Sequence, residues 1–490
     1  MGTEAIKTAK NNLIRVFVRG GILSPGDLLR IMEISRTLGN TFVMFGSRQD
    51  ILFPLHEGTA AKATELFRDT GIDHEQGIGE SFQNIASSYV SVNITPTTQW
   101  VKEDSYHYVM ENFDYLPKLK INIVDPLQSM VPLFTGHLNF IASPEENYWY
   151  LCVRNQCRGN VPETWPRLIF SQDIAKVSKF IERKLSQVPE LTTDDLFMEV
   201  RNTMRVNSVK TGEPLKLPPN LFPYYEGLNA LGNNLLWLGL YWRNNQFDID
   251  FMRAACRLCQ ETGIGTISIT PWKSFIIKGI KPGDQLRWEK LMGKFGINMR
   301  HSSLELNWHL PVLDEEAMEL KRFLVRELDQ QDISTHGLTF TIKTEGDLLL
   351  FTSIVIEKDA EVIAGPESRF TIRYAREFNP HLLDYRVYAS GVTREVLPAL
   401  LIELSKIYFR QLNPEKDLPA GKSSAGDGPA PATLTETYYQ CSNCLTIYDQ
   451  QYGDPSAGIM PGTPFEKLPD HYRCHVCDSG KEYFKPKQKK

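Results

Sequence analysis

Four cysteines near the end of the chain stand in two Cys-x-x-Cys pairs, Cys441/Cys444 and Cys474/Cys477, with twenty-nine residues between the pairs. This spacing suits one metal ion. Each pair delivers two sulfurs from a tight turn, and the insert is long enough to bring the second turn round to face the first, closing a tetrahedron of thiolates. The alternative is two cysteine pairs packed without metal. The insert is aromatic and longer than the roughly 15 to 20 residues usual in a zinc ribbon, which argues against zinc.

The residues between and around the pairs narrow the choice. They run Tyr439-Gln-Cys-Ser-Asn-Cys-Leu-Thr-Ile-Tyr-Asp449, then Gly453-Asp454-Pro455, Gly458-Ile459, Pro461-Gly462-Thr463, Phe465, Leu468-Pro469-Asp470, Tyr472, Gly480-Lys481 and Phe484. Over its whole length this segment resembles rubredoxin. The resemblance implies one iron held by Cys441, Cys444, Cys474 and Cys477, cycling between ferric and ferrous by single-electron transfer, with no substrate bound to it. A domain of about fifty residues buries too little apolar surface to be comfortable alone, so a crosslinking metal becomes part of its folding energy. Tyr439, Tyr448, Phe465, Tyr472 and Phe484 are the expected core. The segment departs from the family pattern at Leu445 and Asp478, where glycines normally allow a left-handed turn, at Tyr472 in place of tryptophan, and at His475 in place of proline.

The rest of the chain is bounded by its composition. Its 490 residues, 42% hydrophobic and 23% charged, suffice for about three or four globular domains. A formal charge of -5 gives no basic footprint, so nucleic acid is not an expected partner. No apolar run approaches about 18 residues, and no signal-like start is visible, so membrane insertion is not expected and the location is read as cytoplasmic. Eight cysteines in this length do not make a disulfide framework, and thiolate ligands fit a reducing compartment. Residues 413–436, rich in Gly, Pro, Ser and Ala without apolar periodicity, read as a linker with a span of about 25 to 30 Å. The domain expectation is a first half at 1–190, a second half at 191–412, the linker, and the small metal domain at 437–490.

The large body carries an internal duplication. Asp27-Leu-Leu-Arg-Ile-Met-Glu-Ile-Ser-Arg-Thr-Leu-Gly39 reads as a helix ending in a glycine turn, followed by a strand over Thr41 to Leu55. The pattern returns as Phe251 to Gly263 and then Thr266 to Ile280, a period of about 224 residues, too long for a solenoid and suited to duplication of a whole half. Each half also ends alike, with a strand (Tyr148 to Arg154; Tyr385 to Ser390) followed by a helix (Asp173 to Leu185; Thr393 to Leu412). With Arg48 and Lys273 just past the strand centres, and Gly77-Ile-Gly-Glu80 leading into Leu119-Lys-Ile-Asn-Ile-Val124, the body resembles the ferredoxin-like half-domains of siroheme-dependent nitrite and sulfite reductases. That resemblance implies an α+β fold of two pseudo-symmetric halves enclosing a cleft, with Arg48 and Lys273 in equivalent places facing cofactor carboxylates or an anion. The cluster cysteines of that family, Cys-x5-Cys and Cys-x3-Cys, have no counterpart. The matching stretches are 87–93, 124–130, 299–305 and 343–349, all without cysteine, so neither siroheme nor a 4Fe-4S cluster is expected.

The remaining candidates are weaker. Arg154, Arg158, Arg300 and His301 are the basic groups nearest the strand ends that would line the cleft, as anion contacts or as solvated charges. Cys256 and Cys259 read as small apolar packing on a helix, against a second cluster formed with Cys152 and Cys157. His471 and His475 read as solvated. The functional expectation is an electron carrier whose cluster-less body docks a redox protein partner, placed by analogy in nitrite, nitrate or sulfite assimilation. The alternatives are an oxidoreductase holding siroheme or another cofactor in the body and fed by its own rubredoxin, or an iron-dependent sensor or assembly factor.

Overall fold

The computed structural model describes residues 12–77, 81–159, 161–218, 221–298, 305–344, 350–359, 368–412, 437–442, 447–448, 450, 454, 457, 459, 463–474 and 479–488. The chain divides into two compact units, 1–417 and 418–490. The linker expected at 413–436 lies outside the described residues, as do Arg300, His301, Cys444, Leu445, His475, Cys477 and Asp478.

In the body, both repeat helices form where the sequence places them, Pro25–Thr37 and Ile249–Thr262. Each starts from a side-chain cap, Ser24 accepting from Asp27 N and Asp248 accepting from Phe251 N, and the second stops at Gly263 with φ +75°. The helices pack on each other, and Arg253 ties them by pairing with Glu33 at 2.7 Å. Ile31, Met32, Met252, Cys256 and Cys259 lie in the one apolar core that both repeats share. Cys256 and Cys259 are thus packing residues, and burial pushes the Cys256 thiol up to about 12. Cys152 sits in a different core and Cys157 is exposed, so the two pairs do not converge.

The strand expected over Thr41 to Leu55 is instead a hairpin, Phe42–Phe45 and Ile51–Pro54, and its repeat is Ile267–Thr270 and Ser274–Ile280. The chain turns at Gly46, whose N–H bonds Asp50 O at 2.9 Å and where a Cβ would lie 2.1 Å from Asp50 Oδ1. The register corrects the expected equivalence. Phe45 opposite Ile51 corresponds to Ile269 opposite Phe275, so the residue matching Lys273 is Gln49, and Arg48 matches Trp272. Gln49 and Lys273 share the left-handed backbone of the turn, at φ +61° and +57°.

The halves exchange strands. Ile22–Leu23, which precedes the first helix, pairs with Ile267 and Ser268 of the second half, and Phe247–Asp248 pairs with Phe42 and Val43 of the first. The pairs Leu23/Ile267 and Phe247/Val43 interchange under the repeat offset, since 247 less 23 and 267 less 43 are both 224. Asn245 fastens one exchange, accepting from Phe45 N at 3.0 Å and donating to Phe45 O at 2.9 Å. At the other, Gly21 has φ +69°, and a Cβ there would lie 2.6 Å from Gln49 Nε2 and 2.8 Å from Ile269 O. Gly21→Ala should therefore cost about 2 to 4 kcal/mol, from backbone strain plus the displaced Gln49 bonds. Gly58→Ala, at φ +76° with nothing within 4 Å, should cost only about 1 to 2 kcal/mol. Urea unfolding separates them, and equal costs would show that the joint at Gly21 is slack.

Each repeat leads into a second sheet, and the two are built alike. Ala86–Ser87, Ile121–Val124 and Leu138–Ala142 run parallel, with the helix Glu103–Glu111 crossing over between the first two, and Tyr148–Arg154 turns antiparallel. In the second module Trp308–His309, Phe340–Lys343 and Ile354–Lys358 repeat the parallel set, with Glu315–Gln330 as crossover, and Phe370–Ala375 is the antiparallel strand. Tyr148–Arg154 therefore corresponds to Phe370–Ala375, while Tyr385–Val392 corresponds to Arg167–Phe170, one strand further along than the sequence suggests. The closing helices are Ile174–Gln187 and Leu397–Leu412.

The C-terminal unit is a three-stranded antiparallel sheet, Ile447–Tyr448, Thr437–Cys441 and Phe484–Gln488. Its core contains Tyr448, Phe465, Leu468, Tyr472 and Phe484, with Tyr439 stacked on Phe465 at 3.9 Å between ring centres.

Candidate metal centre and basic cluster

Two of the four predicted metal ligands lie within the described residues, and both are buried in the aromatic core of the C-terminal unit. Cys441 ends its strand opposite Phe484, and the next residue's N–H, from Ser442, bonds Tyr483 O at 2.9 Å. Cys474 N bonds Ser479 O at 2.8 Å and Arg473 bridges to Gly480, on either side of the stretch whose sequence holds Cys477. Cys441 and Cys474 thus lie in one small core, each three residues from its Cys-x-x-Cys partner in the sequence. That placement, both sulfurs buried among aromatic rings, fits a thiolate-bound iron. Tyr472, where the family has tryptophan, is buried with its hydroxyl donating to Asp454 Oδ2 at 2.8 Å, and burial together with that carboxylate holds the phenol protonated. A polar atom has entered this core with its partner supplied.

In the body, Arg48 is half-buried. Its Nη1 donates to Asn122 Oδ1 at 2.6 Å, and its Nη2 donates to Asn84 O at 2.8 Å and Ile121 O at 2.6 Å. Its Nε, itself buried, has no hydrogen-bond partner among the described residues. Burial lowers its guanidinium to about 10, a shift that the nearby Asp50 carboxylate opposes. Arg154, on the strand Tyr148–Arg154, is buried and donates to Phe134 O. His137 lies among them: burial and the charges of Lys120, Arg48 and Arg154 lower its imidazole to about 4. His137 and Lys120 are groups the sequence reading missed. Nothing marks them there, because the hairpin turn and two separate sheet strands bring them together from distant segments. Arg158 is half-exposed and faces Glu163 at 3.8 Å. Lys273 belongs to another wall, where its amine donates to Leu310 O beyond the second module's first strand.

A duplicated α+β body joined to a small cysteine-bearing domain is the class of protein these features define. The rubredoxin family model matches residues 438–484, and the model of the nitrite/sulfite reductase ferredoxin-like half domain matches residues 242–294. A probable rubredoxin of Methanothermobacter thermautotrophicus is 48% identical over 48 residues, covering 10% of this chain and 76% of that protein. The high molecular weight rubredoxin of Moorella thermoacetica is 47% identical over 51 residues, and the chain spans only 22% of its length. Through its C-terminal segment the chain belongs to the rubredoxin family. The body's fold is that of the Mycobacterium tuberculosis NirA protein, with TM-score 0.60 at 15% identity over 84% of this chain and 82% of that one. Among the described residues, no helix is long and apolar enough to cross a membrane.

Proposed function

We propose that this chain is a single-electron carrier: the C-terminal domain exchanges electrons through one iron bound by Cys441, Cys444, Cys474 and Cys477, and the body docks a redox protein partner. When bound, the iron supplies a one-electron ferric/ferrous couple. The chain's own residues bury Cys441 and Cys474 in one small aromatic core, which favours a fixed geometry in both redox states. The observation that carries the reading is the rubredoxin segment itself, with Cys441 and Cys474 buried in its core. Outside that segment the whole sequence offers only Cys152, Cys157, Cys256 and Cys259, in neither cluster spacing of the siroheme enzymes. The relation to nitrite and sulfite reductases then suggests the pathway in which the partner works, and the body's role would be recognition in place of catalysis.

A second reading has one observation in its favour. The cations Arg48 and Arg154 beside His137 form a polar site that would suit the carboxylates of a cofactor such as siroheme, which would make the body an oxidoreductase fed by its own iron domain. One preparation decides between them. The carrier is expected to show thiolate-to-iron absorption bleached by one electron per chain, no intense tetrapyrrole band, and no turnover of nitrite or sulfite with a chemical reductant. Turnover reaching about 1 per second, or an intense band near the violet edge of the spectrum, would replace the first reading with the second.

A further inference from the structure

A carboxylate is buried together with the thiols of the C-terminal unit. Asp454 is 5% exposed, as deeply enclosed as Tyr472 at 4%. Burying a charged group is costly, and here the cost falls on a domain with little apolar surface to offset it. The carboxylate is held on both oxygens: Tyr472 donates to Oδ2 at 2.8 Å, and Ala457 N donates to Oδ1 at 3.3 Å. Its backbone is held too, with Asp454 N bonding Ile459 O at 3.0 Å and Ile459 N bonding Asp454 O at 2.8 Å. Donors on both oxygens favour the ionised form.

Tyr472 links this charge to the sulfurs. Its ring centre lies 5.8 Å from that of Phe484, which stands opposite Cys441 in the sheet, and the residue itself is two before Cys474 in the chain. Burial first, then Asp454, then the Cys474 sulfur hold the phenol protonated, so the hydroxyl lies in the field of both groups. Cys441, Cys474, Tyr472 and Asp454 are all buried, which leaves little water to screen one charge from another. The departure from tryptophan at this position has a chemical content. An indole carries its single N–H on the five-membered ring, whereas a phenol carries its donor at the far tip, and that tip is where Asp454 meets it.

Four thiolates around a ferric ion leave one net negative charge, and around a ferrous or zinc ion they leave two. A fixed anion nearby therefore repels the divalent state more than the trivalent one. We propose that Asp454 sets the reduction potential of the iron site by holding it toward the ferric state, and that Tyr472 is the residue that positions the carboxylate for this. The proposal rests on the iron reading and goes beyond it by naming the residues that tune the couple. Tyr472 acts through Asp454, since without its donor the carboxylate is free to turn toward water, where its charge is screened.

Redox titration of the iron-loaded full-length chain, followed by its visible absorption, reads the effect. Asp454→Asn, which keeps the shape and an oxygen for Ala457 N, should raise the ferrous-to-ferric ratio at a given potential about tenfold, which for one electron is about 59 mV. Tyr472→Phe, which keeps the ring and removes the donor, should shift the ratio the same way by about threefold, and should add nothing in the Asp454→Asn background. The zinc-loaded chain gives a readout free of redox chemistry. In competition with a chelator, Asp454→Asn should bind zinc at least about threefold more tightly, whereas loss of a carboxylate that only braced the fold would release zinc more readily. A wild-type chain that takes up zinc and never iron would end the carrier reading and still leave the zinc competition to decide what Asp454 does. An unchanged or lower potential in Asp454→Asn at full iron content, or weaker zinc binding, would overturn the proposal. If that variant does not fold, an unchanged potential in Tyr472→Phe does the same. Equal Tyr472→Phe shifts in both backgrounds would remove Tyr472 from the account.

Discussion

Replacing Cys474 with alanine is expected to reduce the iron content of the purified chain from about one per molecule to under about a tenth, and to abolish its visible absorption. The expected loss is large because this domain's core is small. Among the described residues it holds, apart from Cys441 and Cys474, only Tyr448, Phe465, Leu468, Tyr472 and Phe484 fully buried, little apolar surface to stand without a crosslink. The 418–490 unit should lose its protease resistance, while the body, whose cores are separate, keeps its own unfolding transition. Elemental analysis, absorption spectra and proteolysis read the three effects. Stoichiometric zinc in wild-type protein made under iron-replete conditions would end the electron-carrier reading outright.

Arg48→Gln is expected to destabilise the body by about 3 kcal/mol, the cost of leaving buried acceptors unpaired after a charged partner is removed. The guanidinium reaches three oxygens on two other segments, and Asn84 in turn donates to Arg48 O and Val18 O, each at 2.7 Å. Glutamine is too short to span the same three acceptors. Lys273→Gln, which gives up one bond to a carbonyl and a buried charge, should fall within about 1 kcal/mol of wild type. Chemical unfolding of the two single variants gives the comparison directly. Similar midpoints would mean that Arg48's contacts are not holding the hairpin to the first sheet.

That asymmetry was hidden at the level of sequence, where Arg48 and Lys273 looked like one position twice. The repeat itself was legible, because two capped helices with the same apolar spacing and a glycine near the end leave a strong pattern at Asp27 to Gly39 and Phe251 to Gly263. The rubredoxin segment was legible for the same reason, since its pattern depends on spacing along the chain. The hairpin was not. Gly46-Ser47-Arg48-Gln49-Asp50 sits inside a long apolar run, and only the backbone bond from Gly46 to Asp50 reveals where the chain reverses. Two-residue strands such as Ile22–Leu23 carry no period at all, and the groups around His137 are gathered from segments that only the folded sheets make neighbours.

The exchange of strands also bears on how the chain is made. The strand Phe42–Phe45 gains its outer neighbour only when Phe247 and Asp248 arrive, about two hundred residues later. At ordinary synthesis rates that interval is about 10 to 40 s, during which a nascent Phe-Val-Met-Phe edge stands without its cover. Such an edge is the kind that pairs with another chain, and the reciprocal partner offered by a neighbouring copy would be the correct one. Slow completion of the first repeat, with domain-swapped dimers as its side product, is the folding hazard this architecture carries, and it sets a premium on protection of the growing chain until the second repeat has emerged.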